Sequence, residues 1–141
     1  MTYQSVAFAI CEAGALDIRG NVSMIGVLPY KVGVPELPTS LQPWMCGVFE
    51  QDEPEPALPG APLDVTIRVI GPDNDTLFLT RQDIVSTGQP PGERHRVQIA
   101  LPIPLQLPAA GDYAFVFQMR APLVDRVEDF VVQRVLTIFR S

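Results

Sequence analysis

Strict alternation of apolar residues over short stretches, each stopped by proline or glycine, is what most limits the folds open to this chain. In Leu63–Ile70, the side chains of Leu63, Val65, Ile67 and Val69 fall on one face of an extended strand and those of Asp64, Thr66 and Arg68 on the other. From Val97 to Leu107 the same alternation runs unbroken through Val97, Ile99, Leu101, Ile103, Leu105 and Leu107. Fifteen prolines and ten glycines leave almost no window long enough for an amphipathic helix. Eight apolar, β-branched or aromatic runs predict strands: Val6–Cys11, Val22–Leu28, Trp44–Glu50, Leu63–Ile70, Thr76–Thr80, Arg96–Leu107, Tyr113–Arg120 and Val131–Arg140.

Turn chemistry sets how these runs connect. Gly71-Pro72-Asp73-Asn74-Asp75 reads as a five-residue hairpin loop, so the strands on either side pair antiparallel. Leu107-Pro108-Ala109-Ala110-Gly111-Asp112 leads into the aromatic face Tyr113, Phe115, Phe117 and Met119, which is expected at the centre of the core. Pro102 and Pro104 cannot donate ladder hydrogen bonds, so the Arg96–Leu107 run must lie at a sheet edge or bend and change sheets near Pro102. Gln51–Pro62, with prolines at 54, 56, 59 and 62, reads as a stiff surface loop. A short helix is open only at Pro122–Phe130, where Leu123, Val127 and Phe130 recur at helical spacing. The expected fold is all-β: an antiparallel β-sandwich of about eight strands, immunoglobulin-like or C2-like, with at most one short helix. One domain over residues 1–141 is expected, because 141 residues suffice for one core and Met1–Glu50 alone would supply too few strands for another.

Charge narrows the partners. Sixteen acidic residues against ten basic ones give a net charge of −6, and Lys31 is the only lysine. Nucleic acids and anionic membrane surfaces both need basic clusters, so neither is an expected partner. The apolar run Val6–Cys11 is shorter than a signal-peptide core and has no basic leader, which makes the cytoplasm the expected location. Asn21-Val22-Ser23 and Asn74-Asp75-Thr76 are then chance matches to glycosylation triplets.

Five segments carry a further signal: Phe8-Ala9-Ile10-Cys11-Glu12-Ala13, Ile18-Arg19-Gly20, Ile25-Gly26-Val27, the Leu63–Ile70 strand before its Gly/Asp turn, and Leu107-Pro108 through Gly111-Asp112-Tyr113-Ala114-Phe115. In their order the chain resembles an uncharacterised bacterial family of single-domain proteins known only as a domain of unknown function. The resemblance implies a compact β-sandwich of bacterial origin and transfers no catalytic residue.

Reactive constellations are sparse. Zinc needs three or four converging Cys, His or carboxylate ligands, whereas this chain has one histidine, His95, and two cysteines, Cys11 and Cys46, which read as small buried hydrophobes in separate strands. Asp73 and Asp75, with Asp125, Glu128 and Asp129, are hard-oxygen candidates for calcium if their loops meet, although Asp-Asn-Asp is also ordinary turn chemistry. His95, between Arg94 and Arg96 with Ser86 and Thr87 upstream, is the one candidate base, and its simpler reading is an exposed residue opening a strand. No Gly-x-Ser-x-Gly elbow, dinucleotide fingerprint or P-loop occurs. Trp44 could stack on a sugar, but alternation with Cys46 and Val48 reads more simply as core.

No catalytic, cofactor-binding or metal residue is therefore assigned, and no cofactor is expected. The expected function is a non-catalytic protein-interaction or assembly module that associates with itself through edge strands or sheet faces. The Val131–Phe139 run, apolar on both faces, is its main support. A calcium- or carbohydrate-binding module is the alternative.

Overall fold

A computed structural model describes residues 3–54, 62–85 and 92–141, and among these every regular element is a strand. Eleven strands follow in order: β1 (Tyr3–Leu16), β2 (Val22–Val27), β3 (Lys31–Val34), β4 (Thr39–Leu41), β5 (Trp44–Gln51), β6 (Pro62–Ile70), β7 (Thr76–Val85), β8 (Arg96–Pro102), β9 (Leu105–Leu107), β10 (Gly111–Pro122) and β11 (Val127–Arg140). They form a four-stranded sheet in the order β2-β1-β5-β8, a five-stranded sheet β3-β11-β10-β6-β7 and a small pair β4-β9.

The expected eight strands and all-antiparallel pairing need correction. β3 and β4 are additional, three to four residues long and too short to show a period, and β3 runs parallel to β11. The Arg96–Leu107 run is two strands. β8 ends at Pro102 as the edge of the four-stranded sheet, and β9 pairs with β4 in a different sheet, so the prolines both mark an edge and force a change of sheet.

The segment left open to a short helix is turn and strand instead. Pro122 closes β10, Val127 opens β11, and between them the Leu123 amide donates to the Arg126 carbonyl at 2.7 Å across a four-residue turn. Helical spacing misled here because Leu123 and Phe130 are both buried, one in the turn and one in the returning strand, while Val127 faces outward.

Several expectations hold. β6 and β7 form the hairpin around Gly71–Asp75, closed by the Gly71 amide donating to the Asp75 carbonyl at 2.8 Å, with Asn74 at φ 66°. β10 sits mid-sheet, between β6 and β11. Its entry is fixed by Tyr113, whose hydroxyl donates to the Ala109 carbonyl at 2.5 Å, four residues upstream.

Side chains from the two large sheets meet in one hydrophobic cluster. Phe8, Ile10, Met45, Phe49, Val97 and Ile99 come from the four-stranded sheet, and Leu63, Val65, Ile67, Phe115, Phe117, Met119 and Phe130 from the five-stranded one. Alternation along β6 and β8 selects the inward set as the sequence predicts. Most of the proline-rich stretch after Gln51, together with Ser86 and Thr87, lies outside the described residues.

Candidate interaction surface

His95 is not simply exposed. It is half-buried just before β8, and its Nδ1 shares a 2.8 Å hydrogen bond with the hydroxyl of Tyr3 at the start of β1. Gln51, the last residue of β5, is wholly buried; its Oε1 accepts from the His95 backbone amide at 2.8 Å and its backbone N–H donates to the His95 carbonyl at 3.0 Å. Burial holds the imidazole pKa below its ordinary value. The arrangement ties the ends of β1, β5 and β8 together, which is a structural task.

Cys11 and Cys46 are both free and fully buried, as the sequence suggests. They sit on neighbouring strands, Cys11 opposite Trp44 and Cys46 opposite Ala9, outside the cluster between the large sheets. Burial pushes the Cys46 thiol up to about 12, with further upward contributions from Cys11, so it is a poor nucleophile at neutral pH. Trp44 is half-buried and lies beside Gly14, where a Cβ would come within 3.3 Å of its ring and 2.5 Å of the Cys46 sulfur. It stands outside the main core, on the same face of the sheet as the two thiols.

The candidate calcium loops do not meet. Asp73 and Asp75 lie beside the Gly111 end of β10, where a Cβ on Gly111 would touch Pro72, whereas Asp125, Glu128 and Asp129 flank its Pro122 end. A strand of twelve residues separates the ends by about 37 Å at 3.4 Å per residue. Asp125 and Glu128 accept from Arg126, and Asp129 accepts from Arg120 at 3.0 Å. Among the described residues no three His, Cys, Asp or Glu side chains cluster as metal ligands.

The surface that stands out is the edge of β11. Along one side β11 pairs with β10 from Val127 to Ile138 with no shift of register. On the other side β3 covers only Thr137–Arg140, where the amides of Thr137 and Ser141 donate to the carbonyls of Tyr30 and Val34. Those donors are odd-numbered. Because the register is unbroken, the amides and carbonyls of Val127, Asp129, Val131 and Gln133, with Val135 at the rim, point to the same flank, where among the described residues no strand of this sheet pairs with them.

The side chains of these edge residues form a stripe on the outer face. Val127 and Val131 are each 56% exposed and Val135 is 39% exposed, separated by the exposed Asp129 and Gln133. On the inner side the Arg134 guanidinium lies 5.5 Å from the centre of the Phe8 ring. Phe8, Ile10, Leu28, Tyr30, Arg134 and Leu136 line a cleft of about 140 Å³ between β1 and β11, below the usual size of an organic ligand site. On the same flank β2 pairs with β1 only from Cys11 onward, so among the described residues no strand of this sheet pairs with Gln4–Ala9 there.

Other edges are blunted. β7 carries Arg81, Gln82 and Asp83 in succession, β8 ends on Pro102, and β2 is kinked at Gly26 with φ 65°. From the sequence the C-terminal strand begins at Val131 and Val127–Phe130 stays open to a short helix, so this edge is not legible there. The period-two series Val127, Asp129, Val131, Gln133, Val135 was the available signal. In the comparisons with known proteins, no family model and no curated protein matches the chain.

Proposed function

We propose that this chain is a non-catalytic assembly module whose copies associate through the open edge of β11. The observation that carries this reading is the row of outward amides and carbonyls from Val127 to Gln133, flanked by the exposed valines 127, 131 and 135. An unpaired row of this kind takes up another strand readily, since main-chain hydrogen bonds supply affinity whatever the partner's sequence. The apolar stripe supplies burial once a neighbouring strand extends the sheet.

The two facing sheets are read as a sandwich of immunoglobulin-like or C2-like type, with the Tyr113 corner as the feature favouring it. A bacterial, cytoplasmic setting belongs to the same proposal, its bacterial part resting on the resemblance read from the sequence alone.

Sedimentation velocity over a dilution series tests the association. The sedimentation coefficient should rise with concentration in the wild type and stay at the monomer value in Val131→Lys, which places a charge in the stripe. A monomer at every concentration would remove the proposal.

A further inference from the structure

The open edge of β11 carries a sequence that is complementary to itself, and this deepens the assembly reading above, on which it rests. We propose that two copies pair β11 antiparallel about a two-fold axis through Val131, so that each Glu128 faces the partner's Arg134.

Backbone geometry limits the registers. Only odd-numbered residues aim their amides and carbonyls at the flank, so in an antiparallel ladder odd residues must oppose odd ones. The axis can then pass through Phe130, Val131 or Val132, or farther along the strand. With Val131 on the axis, Val127 faces the partner's Val135, Asp129 faces the partner's Gln133 and Val131 faces its own counterpart, all on the outer face. On the inner side Glu128 faces the partner's Arg134 and Phe130 faces the partner's Val132.

The neighbouring registers lose these matches. An axis at Phe130 sets Arg134 against the partner's Arg126, a like-charge pair, and Gln133 against valine. An axis at Val132 sets Arg134 against the partner's Phe130 and Glu128 against the partner's Leu136. Directly opposed side chains on paired strands interact most strongly, so charge alone selects the Val131 axis.

Glu128 and Arg134 cannot meet within one chain, being six residues and about 20 Å apart along the strand. In the single chain Glu128 accepts from Arg126 Nε at 2.7 Å, and Arg134 donates to the Gln133 carbonyl at 3.2 Å while lying over Phe8. A carboxylate can accept from a second guanidinium, so the pairing across the axis adds to these contacts. The interface is isologous and closes as a dimer, since each copy uses its one open β11 edge.

Charge reversal reads the register directly. Arg134→Glu places Glu128 against the partner's glutamate at both symmetric positions, and Glu128→Arg places arginine against arginine. Each variant alone should dimerise at least about tenfold more weakly than the wild type, whereas an equimolar mixture of the two should form a heterodimer of wild-type strength. A third variant leaves the turn at Arg126 untouched. Gln133→Lys faces the partner's Asp129 and should tighten the dimer about threefold.

A wild type that dimerises, with single variants that also dimerise normally or a mixture that stays monomeric, would overturn this register and leave edge association standing. A Gln133→Lys dimer no tighter than wild type would overturn it as well. A wild type that is monomeric throughout would overturn the edge reading and the register with it.

Discussion

The rings of Phe49 and Phe117 lie face to face, 4.3 Å between centroids and 12° between planes, and so join β5 of one sheet to β10 of the other. Phe130 of β11 meets both edgewise, at 5.4 and 6.4 Å, and Phe8 of β1 closes the group at 6.0 Å from Phe49. All four are buried. This cluster is what holds the two large sheets at contact distance, because each ring removes a large apolar surface from water and pairs favourably with its neighbours.

Phe117→Ala should therefore cost about 3–5 kcal/mol, and Phe117→Leu markedly less, in urea denaturation followed by circular dichroism. A loss under about 1 kcal/mol for the alanine variant would mean that the sheets are held together elsewhere.

Tyr113→Phe removes the hydroxyl bond to Ala109 without emptying the core. The expected loss is about 0.5–1.5 kcal/mol, measured in the same way. An unchanged midpoint would show that the corner is held by packing alone.

Stability should also fall on mild acidification. Burial holds the folded-state pKa of His95 below 6.5, so as pH drops the unfolded chain takes up its proton first. The stability is present above the unfolded value and is lost as pH falls through the folded one. The melting temperature should decline between about pH 7 and pH 5, and His95→Gln should flatten that segment of the profile. An unaltered slope in the variant would assign the decline to carboxylates.

Gly14→Ala drives a methyl group to 2.5 Å from the Cys46 sulfur and should destabilise by about 1–3 kcal/mol. Combined with Cys46→Ala, which vacates that position, the loss should be smaller than the sum of the two single changes. Strict additivity in this cycle would mean that the two sites do not touch.

How much was legible in the sequence follows from which signals are local. Alternation in β6, the Gly71–Asp75 loop and the Leu107–Tyr113 entry depend on neighbouring residues, and each is found where the residues place it. Lys31–Val34 and Thr39–Leu41 are strands only because β11 and β9 lie beside them, which no local period reveals. Leu123, Val127 and Phe130 fit a helical spacing by coincidence, since a turn brings residues from two strands into one list. That ambiguity obscures the start of β11, and with it the open edge. His95 looked exposed for a related reason: its partners, Tyr3 and Gln51, are 92 and 44 residues away.

The edge of β11 is tested most directly by amide hydrogen exchange, residue by residue, at low and high protein concentration. The amides of Phe130, Val132 and Arg134 point toward β10 and should be protected at both. Those of Asp129, Val131 and Gln133 point to the open flank, and should exchange fast when the protein is dilute and slowly when it is concentrated. If these odd-numbered amides exchange at the same rate at both concentrations while sedimentation shows dimers, the copies meet through another surface and the account of the β11 edge is wrong.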